Sequence, residues 1–360
     1  MTSVTRSDLW ARLSEAGLVQ GEMPAHGEAK SPWFVRIMLG FAGWLGALFL
    51  LGFVGAAFAF VWKSAAASLA VGAGACAAAV VIFRAAPRSD FVAQFGLAVS
   101  LAGQALLVFG LSKWFGRSLQ SAALVFAIQE AVLFFLVPNT LHRVLCAWWG
   151  ALALAWVMID AGFYAFAPAV VTAGFLWVWL AEFDFGRHAA MARAGGYGLA
   201  LASVQAAVMH GSLWWTWMQS IGHRQAAYGP AIEWLGHAAS AAVLLWAVIR
   251  LLSREGLALG SGQGRIGLAG ALILGAASLK APGVGPAAAI LVVGYANGNR
   301  VLAGLGVAAL LGYLSHYYYS LQATLLEKSA ILAATGLALL AARLVLHRWW
   351  PEQETEATHA

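Results

Sequence analysis

Glu130 stands beside Gln129 midway along an apolar run, Ala127-Ile128-Gln129-Glu130-Ala131-Val132. An isolated ionised carboxylate is costly in such surroundings, so this group must be protonated, paired or facing water. Two readings follow from that. One is a proton or cation site, the other a neutral carboxyl that hydrogen-bonds a neighbouring helix. His210 occupies a second apolar run, with Gln205 five residues earlier and therefore on another helix face. A histidine so placed is more often a packing residue than a ligand. Gln104 follows Ser100 by four residues and Gly96 by eight, a small-and-polar stripe suited to close helix packing. Glu130, Gln129, His210 and Gln104 form the first candidate set, an intramembrane polar site.

A second candidate set ends an apolar segment nearer the C-terminus. Tyr313, His316 and Tyr317 fall three and four residues apart and share one helix face. Glu327 and Lys328 follow across the next turn, and Lys63 marks a comparable turn early in the chain. Such a cluster reads either as an aromatic belt at a membrane interface or as an outer vestibule. Glu233 and His237, four apart, could pair, but two ligands without a third are a weak metal signal. Asp160, Glu182 and Asp184 lie at helix ends, where solvated charges are ordinary.

Several enzyme signatures are missing. The chain has no phosphate-loop motif with its lysine, no His-Glu-x-x-His, no Gly-x-Ser-x-Gly and no clustered cysteine. Gly260-Ser261-Gly262-Gln263-Gly264 reads as a flexible linker. Cys76 and Cys146 lie in apolar runs and read as small hydrophobes. The expectation is a protein that is not an enzyme, with no catalytic, cofactor-binding or metal residues.

The elements that must carry these residues follow from composition. Of 360 residues, 62% are hydrophobic and 10% charged, with a mean hydropathy of +0.78. Soluble domains carry about 25% charged residues, so the balance excludes a soluble globule, a disordered chain and a nucleic-acid partner. It points to a polytopic membrane protein whose first partner is the lipid bilayer. Crossing about 30 Å of hydrocarbon takes roughly 20 apolar residues. On that criterion the chain divides into about twelve segments (range ten to twelve): 37–62, 64–83, 91–112, 118–137, 141–160, 163–182, 195–219, 230–252, 265–280, 284–297, 300–320 and 325–347. Residues 1–30 are polar, read as lacking a cleavable signal peptide, and carry a short amphipathic helix around Leu9, Trp10 and Leu13 that Gly17 can end. Residues 31–350 form the helical transmembrane domain, and 351–360 an acidic, frayed tail.

Turn signals fall between the segments. Pro138-Asn139-Thr140 offers a helix cap, Ser253 to Gly264 is polar and glycine-rich, and Asn297-Gly298-Asn299-Arg300 is a turn. With the N-terminus cytoplasmic, Lys63, Lys113, Arg117, Arg224, Lys280 and Lys328 lie outside and the other fifteen of the 21 basic residues inside. That asymmetry predicts that both termini are cytoplasmic. A faint internal echo pairs Gly46–Gly52 before Lys63-Ser64-Ala65 with Gly306–Gly312 before Lys328-Ser329-Ala330.

Three stretches carry a family resemblance. Ser31-Pro32-Trp33-Phe34-Val35-Arg36 runs into Gly43-Trp44-Leu45-Gly46-Ala47. Gly298-Asn299-Arg300 leads to Gly312-Tyr313-Leu314-Ser315-His316-Tyr317-Tyr318-Tyr319, and Thr324-Leu325-Leu326-Glu327-Lys328-Ser329 follows. Across about residues 31–347 the chain resembles the domain-of-unknown-function 4401 family of bacterial membrane proteins. The resemblance implies a multi-pass protein of the bacterial inner (plasma) membrane. It also implies a neighbouring membrane-anchored protein, named for a Gly-Asp-Tyr motif, as a partner. It brings no activity and no catalytic role.

The expected function is a transporter-like permease for an unidentified small solute or ion. The alternative is a non-catalytic subunit or scaffold of an inner-membrane complex. A water-filled cavity reaching Glu130 would favour the first, and a dry core beside a large apolar groove the second.

Overall fold

The computed structural model describes residues 6–17, 65–85, 90–116, 119–210, 229–279 and 283–320, with scattered positions between and after them. The described residues form helices and no strand, the all-α architecture expected of a chain that must satisfy its backbone without water. The chain divides into two compact units, Met1–Gly110 and Leu111–Ala360.

In the first unit α1 (Arg6–Glu15) stops at Gly17, which takes φ +68°. α2 (Ala65–Ala85) and α3 (Asp90–Trp114) then pack through small residues. A Cβ built on Gly72 would stand 2.8 Å from the Gly103 carbonyl oxygen, so only glycine lets the backbones come this close. Cys76 and Ala79 are buried on α2, and Ser100 and Gln104 on α3. Gln104 Nε2 donates to Ser100 Oγ at 3.3 Å, and Gly96 faces Ile82 and Phe83.

In the second unit α4 (Leu119–Leu136) turns into α5 (Thr140–Asp160) under an Asn139 cap, whose Oδ1 accepts from the His142 N–H at 3.0 Å. A 3-10 turn (Tyr164–Phe166) leads into α6 (Ala167–Leu180), and a second 3-10 segment (Glu182–His188) into α7 (Ala189–His210). α8 (Gly229–Arg254), α9 (Gly262–Ser278), α10 (Val284–Ala296) and α11 (Arg300–Ser320) follow. α6 is apolar on every side and accordingly central. Its Phe175, Leu176 and Trp179 join Ala200 of α7, Leu244 of α8, Ile290 of α10 and Leu302 of α11 in one core cluster. α5 and α7 approach closely because Gly198 leaves room for the Val144 carbonyl.

Five described helices are long and apolar enough to cross a membrane: α2, Phe91–Trp114 of α3, α5, Ala231–Arg254 of α8 and Arg300–Tyr319 of α11. They become six if Tyr164–Leu180 and Asp184–Met209, which meet at a bend of 113°, count as one broken span. Gln120–Leu136 and Val284–Ala296 are shorter apolar helices. Segments 37–62 and 325–347 lie almost wholly outside the described residues, and with them most of the hairpin echo.

Two boundaries differ from the sequence reading. The segment expected from residue 195 already begins at Ala189, because the second 3-10 segment feeds straight into it. The expected linker around Gly260–Gly264 is instead a helix start. Ser261 Oγ accepts from the Gly264 N–H at 3.0 Å, so Gly262, Gln263 and Gly264 form the first turn of α9. A serine cap there outweighs the flexibility of the glycines around it.

Candidate functional site

α4 has two dissimilar faces. Ile128, Val132 and Phe135 are exposed, whereas Ala127, Glu130, Leu133 and Val137 are buried. Large apolar side chains outward and a carboxyl inward invert the pattern of a soluble surface helix. Glu130 is 1% exposed. Its Oε1 accepts a long hydrogen bond from Gln129 Nε2 at 3.4 Å, and the Cys146 thiol is a further hydrogen-bonding neighbour. Oε2 has no partner among the described residues. Gly150 on α5 makes room for this side chain, since a Cβ there would come within 3.2 Å of Glu130 Cβ. One turn before Cys146 lies His142, fully buried, with Nδ1 3.3 Å from Cys146 Sγ. The pair follows from four-residue spacing on one helix face.

Glu130 lies on the wall of an open cavity of about 410 Å³. α4 and α5 supply one side, and Trp177, Phe185 and Met191 supply the other. Trp177 meets Phe185 edge-on with ring centroids 5.8 Å apart, and Phe134 meets Phe135 likewise at 5.2 Å. Trp177 and Phe135 are exposed, which sets the mouth of the cavity among outward-facing apolar residues. The arrangement offers an apolar, aromatic-walled space with a buried carboxyl as its acceptor.

A second polar cluster joins three turns at one end of the unit. Glu182 is buried, with Arg193 Nε donating to Oε1 and Asn297 Nδ2 donating to Oε2 at 3.3 Å. The same Asn297 amide reaches the Trp179 carbonyl at 3.1 Å, and Arg254 Nη1 donates to its Oδ1 at 3.2 Å. Beside it, Asn299 Nδ2 donates to the Tyr197 hydroxyl at 2.9 Å. Glu182 is therefore no solvated helix-end charge. The two asparagines flanking Gly298 read in the sequence as turn residues, a role asparagine commonly fills, so nothing local signals these bonds.

The other predicted site residues scatter. Gln129 joins Glu130, but Gln104 belongs to the first unit, and the His210 side chain lies outside the described residues. Gln205 instead accepts from Trp148 Nε1 at 2.8 Å. At the second set Tyr313 is buried with its ring against Gly283, and it stacks on Tyr317 at 6.2 Å between centroids. His316 is exposed, 6.5 Å from the Tyr313 centroid. Glu327 and Lys328 lie outside the described residues, and Lys63 is exposed in a turn of the first unit. Glu233 accepts from the Tyr164 hydroxyl at 3.2 Å. Among the described residues no three His, Cys, Asp or Glu side chains gather as a metal site.

A family model described as a domain of unknown function (DUF4401) matches residues 32–349. No curated protein and no solved structure matches the chain.

Proposed function

The chain belongs to the DUF4401 family, and from its apolar helices and the Glu130 cavity we propose a multi-pass permease of the bacterial inner membrane that binds a small solute at Glu130. The carrying observation is the unpartnered Oε2 of a carboxyl that is 1% exposed and lines a cavity. Intramembrane ionisable groups are expensive and persist where they bind or relay something. The finer topology belongs to the same proposal: about twelve spans with both termini in the cytoplasm. Hydrogen bonds from Asn297 to Glu182 and from Arg254 to Asn297 support it, because they bring the turns after α6, α8 and α10 to one end. Alternating helices require that, and the arginines there suit a cytoplasmic face.

The test is solute accumulation. Proteoliposomes with equal amounts of parent or Glu130→Gln would be incubated in a small-molecule extract, and retained solutes read by mass spectrometry. The proposal expects solutes held by the parent and not by the variant. Retention no better than empty liposomes would overturn it. Reporter fusions after Ser89 and Ala360 should both read cytoplasmic, and one at Ser118 periplasmic.

A second reading, a subunit bound to a neighbouring membrane-anchored protein, draws support from exposed His316 and Tyr319 at the end of α11. Under that reading His316→Ala lowers co-purification of that protein while abundance stays unchanged.

A further inference from the structure

The Glu130 cavity has features that narrow its ligand, and the inference here rests on the reading of that cavity as a solute site. Its volume, about 410 Å³, compares with roughly 150 Å³ for a cavity that binds benzene. It therefore suits a molecule of two aromatic rings or an alkyl chain of similar bulk. Phe134, Phe185 and Trp177 line it, and their faces carry negative quadrupole potential. Glu130 adds an acceptor oxygen without a partner. No lysine or arginine lines the cavity, and its one histidine, His188, is exposed, so no buried cation in the wall compensates an ionised carboxyl.

Each of these features favours a ligand that brings its own positive charge. An anion would meet the Glu130 carboxyl and apolar ring faces, and the ring N–H donors of the lining, on Trp177 and His188, belong to exposed side chains rather than to the buried wall. A strongly hydrated metal ion would find one carboxyl and apolar walls, far from the oxygen cage such ions need. A purely apolar guest would leave Oε2 unsatisfied. A lipophilic ammonium satisfies both sides at once: its N–H donates to Glu130, its charge lies against aromatic faces, and its apolar body fills the rest. The mouth beside exposed Phe135 and Trp177 would admit such a molecule from the bilayer, where lipophilic amines concentrate.

We infer that the cavity walled by α4, α5, Trp177 and Phe185 binds lipophilic organic amines in their protonated form, with Glu130 as the counter-charge.

The test uses the full chain in lipid nanodiscs, since detergent would compete for an apolar cavity. Radiolabelled dibenzylamine and its uncharged near-isostere dibenzyl ether are the probes. The amine should bind saturably and about tenfold or more tighter than the ether, because only the amine supplies charge and a donor. Glu130→Gln should remove that preference, bringing the two probes to within about twofold. Trp177→Ala, a change at the exposed rim that leaves the core intact, should weaken the amine more than the ether. It serves if Glu130→Gln does not accumulate. Equal binding of amine and ether, or an amine preference that survives Glu130→Gln, would overturn the inference and leave the solute-site reading standing. Saturable binding of neither probe overturns it too, and the solute-accumulation assay then judges the permease reading on its own.

Discussion

Glu130 and Glu182 are 1% and 7% exposed, yet the chain treats them differently. Glu182 has a guanidinium on one oxygen and an amide on the other. Glu130 has a single amide at 3.4 Å on one oxygen, a thiol nearby, and nothing on the second. Glu182 also lies where three turns meet: its own bonds reach Arg193 of α7 and Asn297 after α10, and Asn297 in turn bonds Arg254 of α8 and the Trp179 carbonyl of α6. Glu130 sits in the middle of α4, where, among the described residues, its one bond to another helix is to the Cys146 thiol of α5. A buried carboxyl with all its partners holds a fold. One kept without them opposes the fold, and such cost is normally carried at a site with another use.

The largest expected effect tests the structural half of that contrast. Glu182→Ala removes a charge-assisted acceptor from Arg193 and Asn297, and should cost about 2 kcal/mol. Thermal melting of the purified variant should shift down measurably. An unchanged melt would mean that the cluster merely decorates the turn, and the contrast with Glu130 would lose one side.

The opposite sign is expected at Glu130. Glu130→Met replaces an unsatisfied buried carboxyl with a flexible apolar side chain of similar length, and should raise stability by about 1.5 kcal/mol. The melt should rise while the preference for the amine over the ether disappears. A fall in stability with normal binding elsewhere would show that Gln129 and Cys146 hold the carboxyl more firmly than their geometry suggests.

Much of the frame was legible in the sequence. Charge is so sparse here that a carboxyl inside an apolar run stands out, and Glu130 was found on that ground alone. Asn139 and Gly298 marked turns because an Asx cap and a positive φ are local needs, and Gly298 does take φ +62°. The aromatic wall opposite Glu130 was not legible. Trp177 lies on α6 itself, and Phe185 comes edge-on against it only because the chain bends after that helix, with Gly186 at φ +49° in the 3-10 segment. Nothing in composition or periodicity measures that bend. Cys146 read as a small hydrophobe for a similar reason: its role depends on α4 packing against α5, not on its own neighbours in sequence. Glu182 was misread because a charge just past an apolar segment looks solvated until a distant turn, Asn297, covers it.

A smaller effect separates the cluster's periphery from its centre. Tyr197→Phe keeps the ring that packs edge-on against Trp179 at 5.1 Å and deletes only the hydroxyl bonded to Asn299. The loss should be about 1 kcal/mol, a typical neutral hydrogen bond. Asn299 also caps α11 by accepting from the Leu302 N–H at 3.0 Å, and that cap is untouched by the change. A loss as large as that of Glu182→Ala would show that the two asparagines act as one network.

The smallest expected effect is Arg193→Lys, and it asks which partner of the ion pair matters. The Arg193 side chain is 56% exposed and that of Glu182 only 8%, so the pair joins a hydrated group to a buried one. Lysine keeps the charge but loses the planar guanidinium whose Nε now donates to Oε1. Because water reaches that side, it can replace the lost donor, and the cost should be only about 0.5 kcal/mol, as for other partly exposed pairs. The buried side offers no such replacement, and Glu182→Ala also removes the acceptor of the Asn297 bond, so it should cost several times more although both changes strike the ion pair. Raising the salt concentration should weaken the contribution of Arg193, since its charge is screened, and leave the Asn297 bond to Glu182 in place. If the two substitutions proved equally costly, the pair would be acting as a sealed unit. The carboxyl would then draw its stability from Arg193 alone, and the fully partnered Glu182 would no longer explain by contrast why Glu130 is left open.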